Sequence, residues 1–115
     1  MEILLLMYII GGLVLAVVSV PMILEKIKPN PFYGFRVPQT LENPELWYKV
    51  NKYAGQRLLV AGLLFVLVAV IIYFIPGLSI DAYALACLAV FVVIFAWAIV
   101  QSLRYLRSIS KSGGA

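Results

Sequence analysis

Histidine is absent from this chain, and cysteine occurs once, as Cys87. The first absence removes the commonest general base and the commonest metal ligand. The second excludes an intramolecular disulfide and any paired-cysteine metal or redox motif. Charge is also scarce. Charged residues make up 12% of the 115 positions, against about 25% in a soluble domain. Hydrophobic residues reach 64%, where about 45–50% is usual. So few charges cannot cover that much apolar surface in a globule of this size. A disordered chain, a disulfide scaffold and an ordinary cytosolic enzyme are thereby excluded, and an integral membrane protein remains. The net charge of +4 is then a matter of where the charges sit rather than of nucleic-acid binding.

Three stretches run without charge for about the 20 residues that a helix needs to span a bilayer core, at 3–24, 58–75 and 82–100. The first has no Lys or Arg before it and exceeds a signal-peptide core, so it reads as a retained membrane helix. Pro21 falls in its last turn and is expected to bend the exit. Pro76 and Gly77 end the second stretch, and either Ser79 or Asp81 can cap the third. The expected fold is an all-α membrane protein with three transmembrane helices. A single transmembrane domain covers 1–110, and 111–115 form a flexible tail. No cofactor is implied.

The segment 25–57 has a different composition. Pro29, Pro31 and Pro38 bar helix or central strand across 29–38. Asn43 and Pro44 then predict a short helix to about Ala54: an N-cap, a first-position proline, and Glu45 in the first turn. Gly55 either ends it or lets it turn into the second span. Leu46, Val50 and Tyr53 share one face, as expected of an amphipathic helix lying at the membrane surface.

All nine Lys and Arg fall in two places, the segment 26–57 and the end that follows the third span. Three spans put both on one side, and the other side holds only Glu2 and Asp81. The positive-inside rule then places the protein in the cell membrane with its N-terminus outside and its C-terminus cytoplasmic.

No span carries a charge, which argues against a proton-coupled exporter. Cys87 reads as a packing residue. Gly12 with Ala16, and Ala82 with Ala86, have the small-xxx-small spacing of close helix contacts, within one chain or in a homo-oligomer. The most unusual segment is 30–38, where Arg36 lies among Phe32, Tyr33 and Phe35 and between prolines. Its planar fork suits a carboxylate or a phosphate. It either pairs with Glu42, Glu45 or a lipid phosphate, or belongs to a binding site. The aromatics equally suit membrane-interface anchors. Asn51 is placed to brace the proline loop through its amide.

Asn30, Tyr33, Gly34, Phe35, Arg36, Pro38, Thr40, Asn43, Trp47 and Asn51, with Gly55 after them, resemble the SdpI family of immunity proteins against the sporulation-delaying toxin. The resemblance covers roughly 20–105, with Val37 where Thr is frequent in that family. It implies a minimal, non-catalytic membrane module whose partners are the bilayer and a toxin peptide or regulatory protein. Asn30, Tyr33, Gly34, Phe35, Arg36, Pro38, Asn43, Trp47 and Asn51 are its candidate binding residues. The alternative is a lipid-handling protein that holds an anionic or isoprenoid-phosphate headgroup at the Arg36 loop.

Overall fold

The computed structural model describes residues 1–30 and 32–109. The expected flexible tail, 111–115, lies outside them. Four helices follow in order: α1 Glu2–Ile23, α2 Pro38–Glu42, α3 Pro44–Tyr73 and α4 Ile80–Ile109. Of these, α1, α3 and α4 are long and apolar enough to cross a membrane. Their outward side chains are apolar as well, with Ile3, Leu67, Leu85 and Val93 among the large exposed residues. Such a surface is stable against hydrocarbon and not against water.

The helix ends follow local chemistry. The Asn43 side-chain oxygen accepts from the backbone N–H of Glu45 at 3.1 Å and of Leu46 at 3.3 Å, with Pro44 at the first helical position. Ser79, rather than Asp81, caps α4: its hydroxyl oxygen accepts from the Ala82 N–H at 3.1 Å. α1 runs past Pro21 to Ile23 and closes on Glu25, whose φ of 58° lets the Lys26 N–H reach the Pro21 carbonyl at 2.9 Å.

Two features differ from the sequence reading. The segment 44–54 is helical, but it is no separate interfacial helix. It is the first part of α3, which continues through Gly55 into the span over 30 residues. At 1.5 Å per residue α3 is about 45 Å long, more than the ~30 Å hydrocarbon core. Gly55 therefore serves packing, not termination. A methyl group there would lie 3.0 Å from the Ser19 carbonyl oxygen of α1. The second difference is α2, a single turn that begins at Pro38.

α1 crosses α3 through small residues. A methyl on Gly62 would fall 2.5 Å from the Gly12 carbonyl oxygen, so the two backbones touch. Gly12, Ala16 and Ser19, all buried, form the α1 side of this contact. The small-residue stripe of α1 is thus used within the chain.

α3 contacts both other long helices. At the end holding the N-terminus, Phe65, Ala69, Tyr83 and Cys87 make one buried cluster, joined by Tyr8 of α1. Here α1 meets α4: the Tyr8 hydroxyl donates to the Ala84 carbonyl at 3.0 Å. At the other end Leu46, Val50 and Leu106 are buried together under Phe35 and Val37. The apolar face of 44–54 thus lies against α4 and the loop, not against lipid. Sequence periodicity cannot separate these cases, because an apolar stripe looks the same against either.

Candidate functional site: the aromatic loop and the pocket beneath it

Among the described residues of the loop, 24–30 and 32–37, there is no regular backbone ladder, so the polar backbone groups need side-chain partners. Asn30 supplies the first set. Its side-chain oxygen accepts from the N–H of Phe32 at 2.8 Å and of Tyr33 at 2.7 Å, and its amide nitrogen donates to the Lys28 carbonyl at 2.7 Å. This folds the proline-rich segment back on itself. Tyr33 then ties it to α1 by donating its hydroxyl to the Val18 carbonyl. Burial pushes the Tyr33 phenol above its ordinary pKa, so it stays protonated and able to donate.

Asn51 supplies the second set. It is 2% exposed. Its side-chain oxygen accepts from the Phe35 N–H at 2.6 Å. Its amide nitrogen donates to the Trp47 carbonyl at 2.9 Å and reaches the Phe35 carbonyl at 3.4 Å. The side chain thereby stands in for a strand neighbour, as its amide suggested. Gly34 makes the approach possible. Its φ of +108° disfavours any side chain, and a methyl there would meet the Asn51 oxygen at 2.6 Å.

Trp47 is fully buried, and its indole N–H donates to the Ile27 carbonyl at 2.7 Å. It is a post under the loop rather than an anchor in lipid headgroups. Thr40, also fully buried, closes the C-terminal side. Its hydroxyl oxygen accepts from the Val37 N–H at 3.1 Å and lies 3.1 Å from the Phe35 carbonyl.

Of the candidate residues, Asn30, Gly34, Trp47 and Asn51 therefore build the loop. Pro38 starts α2 and Asn43 caps α3, both as helix chemistry. Arg36 is exposed, and its Nε donates to the Gly34 carbonyl at 3.3 Å. Glu45, one of its expected partners, is paired with Lys49 at 3.1 Å.

The loop roofs a pocket. α1 and α4 meet near Tyr8, and closer to the loop a cavity of about 320 Å³ is lined by residues of both. Val18 and Met22 form one wall, and Phe95, Ala98, Ile99 and Ser102 the other. Ala54 and Leu58 of α3 make the floor, and Phe32 to Phe35 the roof. The polar groups around it are satisfied internally: the Ser102 hydroxyl donates to the Ala98 carbonyl at 2.8 Å, and that of Tyr33 to α1. What remains is an apolar surface without orienting donors. Phe32 stands at the rim, 86% exposed.

Sequence reasoning placed Tyr33, Gly34 and Phe35 but missed the helical walls. Nothing marks Val18 or Ala98 among so many similar residues. Phe32 was within reach, since a phenylalanine beside a glycine turn in a proline loop has little local use. Among the described residues, no three of Cys, Asp or Glu gather as metal ligands would.

A sequence profile of the SdpI/YfhL protein family matches residues 26–103, from the start of the loop almost to the end of α4. No curated protein and no solved structure matches the chain. The matched region contains every residue that builds the loop, and it covers more than half of the sequence, so the chain belongs to the SdpI/YfhL protein family.

Proposed function

We propose that this protein is a non-catalytic membrane module that confers immunity by binding a hydrophobic toxin peptide or partner protein at the loop and its pocket. The observation that carries this reading is the apolar pocket itself, with exposed Phe32 at its rim. Apolar side chains from a partner would bury Phe32 and fill the space between α1 and α4, at a gain of about 25 cal/mol per Å² of apolar area. The walls offer no free hydrogen-bonding groups, so the occupant brings its own satisfied backbone, as a membrane-embedded helix or hairpin does. The gathering of all nine Lys and Arg in the segment 26–57 and after the third span supports a cytoplasmic location for both.

The test is toxin challenge of a sensitive host that expresses variants of this protein. Ile99 lines the pocket and is 40% exposed, so a larger side chain fits without disturbing buried contacts. Ile99→Trp should abolish protection while the protein accumulates normally. Full protection by Ile99→Trp would remove the pocket from the function.

A second reading rests on Arg36, exposed in the loop close to Phe32. There the protein would hold an anionic or isoprenoid-phosphate headgroup through the planar guanidinium. In that case Arg36→Lys impairs activity nearly as much as Arg36→Ala, because Lys keeps the charge and loses the fork. Arg36→Lys behaving as wild type would rule that reading out.

A further inference from the structure

A second feature lies on α3 and α4, away from the loop. Arg57 is the last charged residue before the apolar run 58–75. Its guanidinium carbon sits 4.7 Å from the centroid of the Tyr53 ring. Tyr53 is itself stacked on Tyr105 of α4, with ring centroids 4.3 Å apart and planes within 3° of parallel. Two helices thus fix one guanidinium through a layered stack of three flat groups. Its Nε is nevertheless buried without a hydrogen-bond partner among the described residues. Among the described residues, no carboxylate lies within ion-pair distance of it, the only ion pairs being Glu45 with Lys49 and Glu2 with the N-terminus. A buried donor on a cation is costly to leave unanswered.

We propose that Arg57, held on the Tyr53–Tyr105 stack, is a seat for the phosphodiester of an anionic membrane lipid. Position selects the class of ligand. A site at the edge of an apolar run lies at headgroup level, where a phosphate meets the protein from the bilayer. Val60 and Leu64 follow Arg57 on the same helix face at one-turn spacing. They are 46% and 41% exposed, leaving an apolar track for the acyl chain. A soluble anion would use the guanidinium and gain nothing from the track. Arg104, exposed and next to Tyr105 in sequence, adds positive charge on the neighbouring helix. Arg57 does not line the pocket between α1 and α4, so this site goes beyond the peptide-binding reading and does not depend on it.

The test is native mass spectrometry of the full chain, reconstituted in vesicles of equal phosphatidylglycerol and phosphatidylcholine and then extracted in detergent. Wild type should retain phosphatidylglycerol about tenfold over phosphatidylcholine, whose phosphodiester carries its own choline cation and so gains less from Arg57. Arg57→Gln should bring the two to parity. Arg57→Lys should lower the preference at least about threefold, because the fork is lost while the charge remains. Arg107→Gln should retain the wild-type preference, and all of these variants should be compared in toxin protection. A loss of lipid preference in Arg57→Gln with protection intact separates this site from the proposed function. Wild-type preference in Arg57→Gln overturns the proposal. So does displacement of the lipid by millimolar inorganic phosphate, which would show that the acyl track contributes nothing. Should Arg57→Gln fail to accumulate, Arg57→Lys decides alone, and an unchanged preference in it counts against the seat.

Discussion

The two ends of the bundle are held together by different interactions. At the loop end, side-chain amides and hydroxyls carry the structure, those of Asn51 and Thr40 buried. Asn51, Asn30, Thr40 and the Trp47 indole satisfy backbone groups that have no helix or sheet to bond with. At the opposite end, an apolar and aromatic cluster carries it. Phe65, Tyr83 and Cys87 pack with Tyr8, whose ring meets that of Phe65 edge-on at 5.6 Å. Both arrangements bury polar atoms. Near the N-terminus, however, the helices already satisfy the backbone, and the tyrosine hydroxyls add single bonds to spare carbonyl lone pairs. At the loop, one asparagine answers for both polar backbone atoms of Phe35. Losing one polar side chain should therefore be local and severe at the loop, and mild at the other end.

The largest effect should come from asking which side of the membrane each end faces. Cys87 is fully buried, and a Cys87→Ser background frees the chain for single-cysteine labelling. In intact cells an impermeant thiol reagent should label Ser79→Cys and leave Gln39→Cys untouched until the cells are opened, both positions being exposed. The reverse pattern would invert the orientation argued from charge.

Next is Asn51→Leu. It removes the bonds to Phe35 and Trp47 and leaves buried backbone groups unanswered, at about 3 kcal/mol in total. Limited proteolysis should cut between positions 27 and 37 in the variant and spare the wild type, while helical content measured by circular dichroism stays near that of wild type. A loop that stays resistant would mean that Trp47 and Thr40 suffice to hold it.

Tyr83→Phe probes the other end. It deletes one hydroxyl, which donates to the Ala69 carbonyl at 3.0 Å, and keeps the ring packing. Denaturation in detergent should register about 1 kcal/mol or less, as membrane hydrogen bonds usually do. A loss equal to that of Asn51→Leu would erase the contrast between the ends. The smallest effect is a gain. Glu25 closes α1 with a φ of 58°, a conformation that costs a side chain about 1 kcal/mol and glycine almost nothing. Glu25→Gly should raise the midpoint of thermal unfolding slightly, and a fall would show that the Glu25 side chain contributes an interaction that outweighs its backbone strain.

How much of this was legible in advance depended on range. The Asn43 cap was readable, and the α4 cap was narrowed to Ser79 or Asp81, because a cap involves residues two or three positions apart. The bracing role of Asn51 was readable because a polar amide on an apolar face needs partners. The continuity of α3 through Gly55 was not, since a glycine that ends a helix and one that admits another helix are the same residue in sequence. Only the approach of Ser19 distinguishes them. The burial of Trp47 was not legible for a similar reason. An indole at a membrane boundary and an indole under a loop both need one apolar body and one acceptor, and the acceptor, the Ile27 carbonyl, lies 20 residues earlier.

By itself, then, the sequence determined that three helices are long and apolar enough to span a membrane, where the charges gather, and that the proline run ahead of Pro38 does not continue a helix. These follow from hydropathy and backbone sterics, which act residue by residue along the chain. The tertiary structure alone decided that a pocket exists between α1 and α4. Val18 and Met22 of α1 and Phe95, Ala98, Ile99 and Ser102 of α4, far apart in sequence, line one space. The loop, pinned by Tyr33 and Asn51, roofs the space they leave. A cavity is a gap between surfaces, and its walls are ordinary apolar residues until the helices that carry them have been placed.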